Sequence, residues 1–268
     1  MIDRGKQNLL GVLIDAVDYA AAVERIISAA HAQQKLTVSA LAVHGVMTGV
    51  LDAQHRYRLN HLDLVVPDGQ PVRWALNWLH QAALADRVYG PTLTLKVCER
   101  AAAEGLPIYL YGSRPEVLAA LTARLTERYP QLQIAGSQPS RFRRVSPEEQ
   151  REIAAEIQAS GARIVLVGLG CPRQEVWVYE NAALINLPML AVGAAFDFHA
   201  GLLPQAPPML QKVGLEWLFR LSKEPKRLWQ RYLYLNPFYL FLLSLQASNL
   251  TNFDPNFCAN PDQIQRYG

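Results

Sequence analysis

The sequence predicts an α/β protein with a Rossmann-like, mainly parallel sheet, helices on both faces of the sheet, and a C-terminal helical appendage. Short apolar runs of strand length alternate with segments of helical periodicity up to about residue 192. Several of these runs are continuous in Val, Ile and Leu, as in strands that are covered on both faces. After about residue 205 the composition changes, which indicates a separate appendage.

The predicted elements follow one another as in a sheet built from crossover units. Apolar runs predict strands at residues 9–14, 36–43, 62–66, 108–111, 133–135, 164–167 and 189–192. Helical periodicity predicts helices at residues 19–32, 46–59, 71–81, 93–104, 116–128, 147–159 and 173–184. The helix at 147 has a clear start, because Ser146 can cap it, Pro147 suits its first turn, and two glutamates follow at its positive end.

The pattern divides the chain into a core at residues 1–205, an appendage at 206–248 and a polar tail at 249–268 that we expect to be loosely ordered. Gln205-Ala206-Pro207-Pro208 is typical of a linker. Residues 212–246 hold eight aromatic residues, and six basic residues against two acidic ones. The positive charge of the protein therefore belongs to the appendage.

Composition excludes several classes of protein. A chain of 268 residues that is 50% hydrophobic can bury a core without disulfides or a structural metal. Its three cysteines (98, 171 and 258) are scattered without a CxxC pair, which fits a reducing cytoplasm. A net charge of +3 is small for a nucleic-acid-binding protein. We expect neither a signal peptide nor a membrane-spanning segment.

The basic, aromatic appendage has three interpretations. It can lie on an anionic lipid surface, bind nucleic acid, or pack on the core with a solvated basic face. Packing is the default for a single charge cluster, and one short cluster is thin evidence for nucleic acid. The uncharged run at 232–246 favours a membrane surface or a partner, although Asn236 and Pro237 interrupt it.

Ligands of parallel α/β sheets bind beyond the carboxyl ends of the strands, so the residues that follow each strand matter most. Asp68, in the turn VVPDG, can act as a general base, bind a ribose, or cap the helix that starts near Gln70. The residues alone favour capping. Gly112 and Ser113 lie between a strand and a helix, where a phosphate can bind, although many such turns are only structural.

A second glycine-rich junction, GLGCPRQE at 168–175, predicts an anion or sugar-nucleotide site, with a structural turn equally open. Gly168 and Gly170 free the backbone there, and Arg173 and Gln174 fall in the first turn of the next helix. Asp197 and His199 follow the last strand without further metal ligands, and Cys171 fits a packed residue better than a nucleophile. His44 is the other histidine placed to face the cleft.

These junctions together resemble the TagA/WecG/CpsF-type bacterial glycosyltransferases, the N-acetylmannosaminyltransferase family of surface-polymer assembly. The resemblance runs from about residue 8 to about residue 245. Its matching stretches are NLLGVLID at 8–15, VVPDG at 65–69, RVYG at 87–90, IYLYGS at 108–113, GLGCPRQE at 168–175, GAAFDFHAG at 193–201 and GLEWLFRLSKEPKRLWQRYL at 214–233.

The resemblance implies an enzyme that moves a sugar from a UDP-sugar donor to a polyprenyl-diphosphate-linked sugar, without a metal or cofactor and with inversion. It implies Asp68 as general base, Gln174 at the donor side, and Arg220, Arg227 and Arg231 supplied by the appendage. The implied location is peripheral, on the cytoplasmic face of the cell membrane. A homo-oligomer is possible, and we expect no nucleic-acid partner.

One stretch departs from the family pattern. Many relatives carry a Thr-Pro-Asn run after the second strand, with Thr and Asn facing the substrate. The corresponding positions here are Ala40 and Ala42, with His44 nearby, so we expect an altered donor sugar. Two other functions stay open. The first is a nicotinamide-dependent oxidoreductase, against which the missing GxGxxG argues. The second is a membrane-associated homologue that binds UDP-sugars without activity.

Overall fold

The computed structural model describes the backbone of residues 1–268 and all side chains except those of Arg227, Gln230 and Arg231. The strands are β1 (Asp3–Leu9), β2 (Val12–Val17), β3 (Leu36–Leu41), β4 (Leu64–Pro67), β5 (Ile108–Gly112), β6 (Ile134–Gln138), β7 (Ile164–Gly168) and β8 (Pro188–Ala191). The core helices are α1 (Tyr19–Ala32), α2 (Val43–Leu51), α3 (Ala53–Asn60), α4 (Gln70–His80), α5 (Gly90–Glu104), α6 (Pro115–Arg128), α7 (Pro147–Ala159), α8 (Arg173–Asn181) and α9 (Ala195–His199).

Six strands form one parallel sheet in the order β4-β3-β8-β7-β5-β6. Alternate residues of its central strands point to opposite faces, so Tyr109 and Val165 join one apolar cluster while Leu110 and Leu166 join the other. Helices α2, α3, α4, α7 and α8 cover the first face, and α1, α5, α6 and α9 cover the second. The predicted fold class is confirmed.

The first predicted strand, at 9–14, is wrong. Strands β1 and β2 pair antiparallel in a separate two-stranded sheet, with the turn at Leu10 and Gly11. Both turn residues have positive φ angles, 56° and 84°, which a tight hairpin turn requires. The turn lies inside the apolar run NLLGVLI, which has the composition of a continuous strand, so the sequence pattern did not indicate a turn there.

The helix predicted at 46–59 is divided in two at Asp52. Asp52 has an extended backbone, and its carboxylate accepts hydrogen bonds from the backbone N–H groups of Gln54 and His55. It thereby ends α2 and caps α3. The predicted start at Ser146 is confirmed, because Ser146 and Glu149 form a reciprocal capping box at α7.

The appendage consists of α10 (Pro208–Lys212), α11 (Glu216–Lys223) and α12 (Pro225–Ala247). Leu228, Tyr239 and Leu243 of α12 are buried, and the last two belong to the apolar cluster of the core. Gln246 accepts a hydrogen bond from Leu10 N–H and donates one to Asn8 O, both at 3.0 Å. Within the described part of the chain, no helix combines the length and the apolar character needed to cross a bilayer.

The tail, which we expected to be loosely ordered, makes several hydrogen bonds with the core. The Glu180 carboxylate accepts hydrogen bonds from the N–H groups of Gln265 and Arg266 at 2.7 and 2.8 Å. Ser140 donates to the carbonyl of Gly268 at 2.6 Å. Polar groups of the core thus satisfy the backbone of an irregular segment, which composition cannot reveal.

Candidate active site

A cleft of about 860 Å³ opens where the parallel strands end. Its floor is formed by the residues that follow β3, β4, β5, β7 and β8. Its outer wall comes from α4 and from the appendage, including Trp74, Trp217 and Tyr232. The cleft therefore lies between core and appendage, at the sheet edge where ligands of such folds bind.

Most of the predicted site residues meet in this cleft. Those that line it are His44, Asp68, Ser113, Gly168, Gly170, Arg173, Gln174, Asp197 and Arg220. Ala40 and Ala42, the two positions that depart from the family pattern, line it as well. Gly112 does not line it, and the side chains of Arg227 and Arg231 lie outside the described residues.

Asp68 lies directly after β4. Its carboxylate accepts a hydrogen bond from the Gly90 backbone N–H at 2.6 Å, at the first residue of α5. The helix that follows Asp68 in the chain, α4, has Gly69 at its N-cap without a side-chain capping bond. The prediction that Asp68 caps its own helix is therefore wrong, and Asp68 instead joins two elements at the floor of the cleft.

The surroundings of Asp68 make it a stronger base than an ordinary aspartate. Burial raises the pKa of Asp68 to about 6, and the nearby Glu216 carboxylate acts in the same direction. The Arg87 and Arg220 guanidinium groups and the Gly90 N–H oppose this rise, because they favour the ionised form. A carboxylate with this pKa is mostly ionised at neutral pH and can still accept a proton effectively.

Arg87 links the appendage to the floor of the cleft. It donates to the Glu216 carboxylate of α11 at 2.6 Å, and only 7% and 14% of the two side chains are exposed. Glu216 also accepts a hydrogen bond from the Tyr89 hydroxyl at 3.0 Å. The Arg87 guanidinium lies over the Tyr89 ring, 4.0 Å from its centre. Since this pair is nearly buried, it fixes how α11 meets the core.

Gln174 is only 3% exposed, at the base of the cleft. Its Oε1 accepts a hydrogen bond from the Gly170 N–H at 3.1 Å, and its Nε2 donates to Glu175 at 2.9 Å. Ser39 also donates to the Glu175 carboxylate, at 3.2 Å. Gln174 thus holds the turn between β7 and α8 together. The Gly170 N–H, which belongs to the predicted anion or sugar-nucleotide site, is bonded to the Gln174 side chain.

Gly112 and Gly168 bring β5 and β7 close together at the strand ends. Gly112 has a φ of +104°, and a Cβ added there would lie 2.9 Å from the backbone of Gly168. A Cβ at Gly168 would lie 2.6 Å from the Phe196 ring. The two glycines are therefore required by packing, and Gly112 lies behind the residues that line the cleft.

Asp197 and His199, close in sequence, face different surroundings. Asp197 lines the cleft, with its carboxylate 4.0 Å from the Arg114 guanidinium. His199 bonds through Nε2 to the Pro91 carbonyl at 2.8 Å, and burial lowers its pKa. In the described part of the chain, no group of three or more His, Cys, Asp and Glu residues is arranged to hold a metal ion.

Arg220 brings positive charge from the appendage into the cleft. It lies on α11, one turn after Glu216, and its guanidinium is 5.7 Å from the centre of the Phe198 ring. Its Nε is buried and has no hydrogen-bond partner among the described groups. Arg220 is thus a predicted cation of the cleft that comes from the appendage and not from the core.

A protein-family model matches most of the chain. The model described as the glycosyl transferase WecG/TagA/CpsF family matches residues 7–252, which covers core and appendage together. The chain belongs to this family. It is therefore a glycosyltransferase of cell-wall or polysaccharide synthesis, and it acts on a sugar donor and an acceptor.

Several residues that shape the cleft of this glycosyltransferase received no role from sequence. Arg87, Tyr89 and Glu216 fall inside stretches that carry the family resemblance, but their contacts join positions far apart in the chain. Trp74 and Glu175 line the cleft without standing directly after a strand. For Arg87, Tyr89, Glu175 and Glu216 the available signal was their place within family motifs, which marks importance without giving a role. Trp74 lies outside those motifs.

Proposed function

We propose that this glycosyltransferase moves a sugar from a UDP-sugar to a polyprenyl-diphosphate-linked sugar by direct, inverting transfer, with Asp68 as the general base. The position of Asp68 carries the proposal, because its basic carboxylate lies at the floor of a cleft between core and appendage. The acceptor hydroxyl attacks the anomeric carbon while Asp68 takes its proton and UDP leaves on the opposite side.

The leaving UDP needs positive charge close to its diphosphate. Arg173 and Arg220 line the cleft, and Arg173 begins α8, whose N-terminus also favours an anion. These groups support transfer without a metal ion. Arg227 and Arg231, whose side chains lie outside the described residues, stay predicted contributors from the family pattern.

Gln174 supports the donor side indirectly. Its amide is bonded to Gly170 and Glu175, so its contribution is to hold the turn after β7 in one shape. His44, Ser113 and Asp197 complete the lining and are proposed to contact the substrates. Ala40 and Ala42 leave a small, apolar wall where relatives have polar groups, which supports a donor other than UDP-N-acetylmannosamine.

The outer face of α12 supports binding to the cytoplasmic surface of the membrane. Residues on the inner face of this helix are buried, whereas its outer face exposes large apolar side chains. These are Trp229, Leu233, Tyr234, Phe238, Leu240 and Phe241. Lys212, Lys223 and Lys226 are exposed nearby in the chain, and the combination of apolar and basic residues suits an anionic bilayer.

The test is UDP release from a panel of UDP-sugars, with a polyprenyl-diphosphate-linked sugar as acceptor. We expect acceptor-dependent release with one donor, and a loss of about a hundredfold or more in Asp68→Asn. Product anomers are read by NMR, and inversion supports direct transfer. UDP binding without release from any donor contradicts the proposal and favours the inactive homologue.

A further inference from the structure

The Arg87 guanidinium lies within the influence of two carboxylates. It makes a 2.6 Å ion pair with Glu216, and the ionised form of Asp68 is also stabilised by Arg87. Among the described side chains, no ion pair joins Arg87 to Asp68 within 4.0 Å. Arg87 is therefore committed to the carboxylate from the appendage.

We infer that Glu216 is a positioning residue: it forms an ion pair with Arg87, and this pairing weakens the effect of the Arg87 charge on Asp68. The carboxylate of Glu216 is well placed for this role, because one oxygen accepts from Arg87 and the other from the Tyr89 hydroxyl. Both partners precede α5 directly, and the Gly90 N–H that follows them binds Asp68. One short segment thus contacts both carboxylates.

The charges around Asp68 determine the sign of the effect. Arg87 approaches from the segment before α5, and Glu216 and Arg220 approach from α11. The Tyr19 hydroxyl, from α1, is uncharged. Burial and, to a smaller extent, the Asp68 charge raise the pKa of Tyr19. If the Glu216 charge is removed, the repulsion between the carboxylates is lost and the Arg87 charge acts on Asp68 without compensation. Both changes favour ionised Asp68 and make it a weaker base.

The effect on catalysis rests on the proposed role of Asp68. In the seated appendage Glu216 engages Arg87 and adds to the proton affinity that burial gives Asp68, while Arg220 of the same helix acts against it. Removal of the Glu216 charge alone would leave the Arg87 charge acting on Asp68, and Asp68 would then remove protons less well.

The test is a ¹³C NMR titration of the Asp68 carboxyl carbon in the full chain, with Asp68→Asn to assign the signal. We expect Glu216→Gln to lower the titration midpoint by about one pH unit, and Arg87→Met to raise it by a similar amount. Tyr89→Phe is the matched control, since it removes one hydrogen bond to Glu216 without changing any charge, and its midpoint should match the wild type.

The opposite signs separate the inference from general loosening of the site. If both charge variants lower the midpoint, or if Glu216→Gln leaves it unchanged, the inference is wrong. Amide hydrogen exchange along α11 checks that the appendage stays docked in each variant. Because the titration needs no turnover, it is independent of the proposed function, which fails separately if Asp68→Asn keeps full activity.

Discussion

Asp68 accepts a 2.6 Å hydrogen bond from the Gly90 N–H, which joins the end of β4 to the first residue of α5. The bond fixes the carboxylate at the floor of the cleft while burial keeps its pKa near 6. The loop that carries Arg87, Tyr89 and Gly90 therefore fixes the position of the proposed base, whereas burial raises its proton affinity.

The first prediction concerns the pH dependence of transfer. If Asp68 is the base, kcat/KM should be constant above its pKa and fall tenfold per pH unit below about pH 6, as the carboxylate becomes protonated. The measurement is kcat/KM from pH 4.5 to 8. A rate that stays constant down to pH 4.5 would contradict the raised pKa.

The second prediction is a gain in stability when the charge of Asp68 is removed. The pKa of Asp68 in the folded protein lies above its ordinary value of 3.8, so its stabilising contribution belongs to the protonated form and is lost as the pH rises through about 6. Asp68→Asn should therefore raise the free energy of unfolding at pH 7.5 by roughly 1–3 kcal/mol.

Urea denaturation of both proteins at pH 7.5 and pH 4 measures this effect. The difference between them should shrink at pH 4, where Asp68 is protonated in the folded wild type. A gain of equal size at both pH values would show that the charge is not responsible.

The third prediction concerns Ala42, the N-cap residue of α2, which makes no side-chain capping bond. Asn is a favoured N-cap residue, so Ala42→Asn should stabilise the protein by about 1 kcal/mol. Ala42 also lines the cleft, so the same change should alter the ratio of kcat/KM between donor sugars. Thermal unfolding and the donor panel measure the two effects separately.

Ala53→Asn is a control for that experiment, because Ala53 is the first residue of α3 and does not line the cleft. It should leave donor preference unchanged. If Ala42→Asn is stabilised and its donor preference stays that of the wild type, Ala42 does not contribute to donor choice.

The fourth prediction is that the appendage contributes to the stability of the core. Tyr239 is 1% exposed and donates a hydrogen bond to the Pro71 carbonyl at 3.1 Å. Tyr239→Ala should lower the free energy of unfolding by about 3–5 kcal/mol, whereas Tyr239→Phe should lower it by about 1 kcal/mol. Tyr234→Ala, at a position that is 65% exposed, is the control and should change it by less than about 0.5 kcal/mol.

Chemical denaturation of the three variants gives these values. For the same reason, deletion of residues 212–268 should yield a poorly folded protein, because it removes Tyr239, Leu243 and the tail contacts to Glu180. A stable truncated core would contradict the packing of α12.

The fifth prediction addresses the outer face of α12. Leu233→Ser with Phe241→Ser removes two side chains that are 61% and 57% exposed, so folding should be nearly unaffected. Sedimentation with vesicles that contain anionic lipid should show binding that is weaker by about tenfold or more. Leu51→Ser with Phe257→Ser, at exposed positions outside α12, should bind like the wild type.

The sequence predicted the elements whose signals are local. The capping box at Ser146 and the apolar runs of β5 and β7 are formed by residues close together in the sequence. These three predictions agree with the structure. Non-local features were missed. The turn at Gly11 is hidden in an apolar run, and the tail bonds to Glu180, which lies 85 residues from Gln265.

The site divides in the same way. The sequence by itself determined an α/β sheet, the family, and the set of residues after the strands that gather in one cleft. The tertiary structure decided what these residues do there: Asp68 bonds Gly90 instead of capping α4, and Gln174 holds its own loop. It also placed Glu216 on Arg87, 129 residues away in the chain. Periodicity and motifs report local backbone geometry, whereas burial and charge pairing arise only when distant segments pack together.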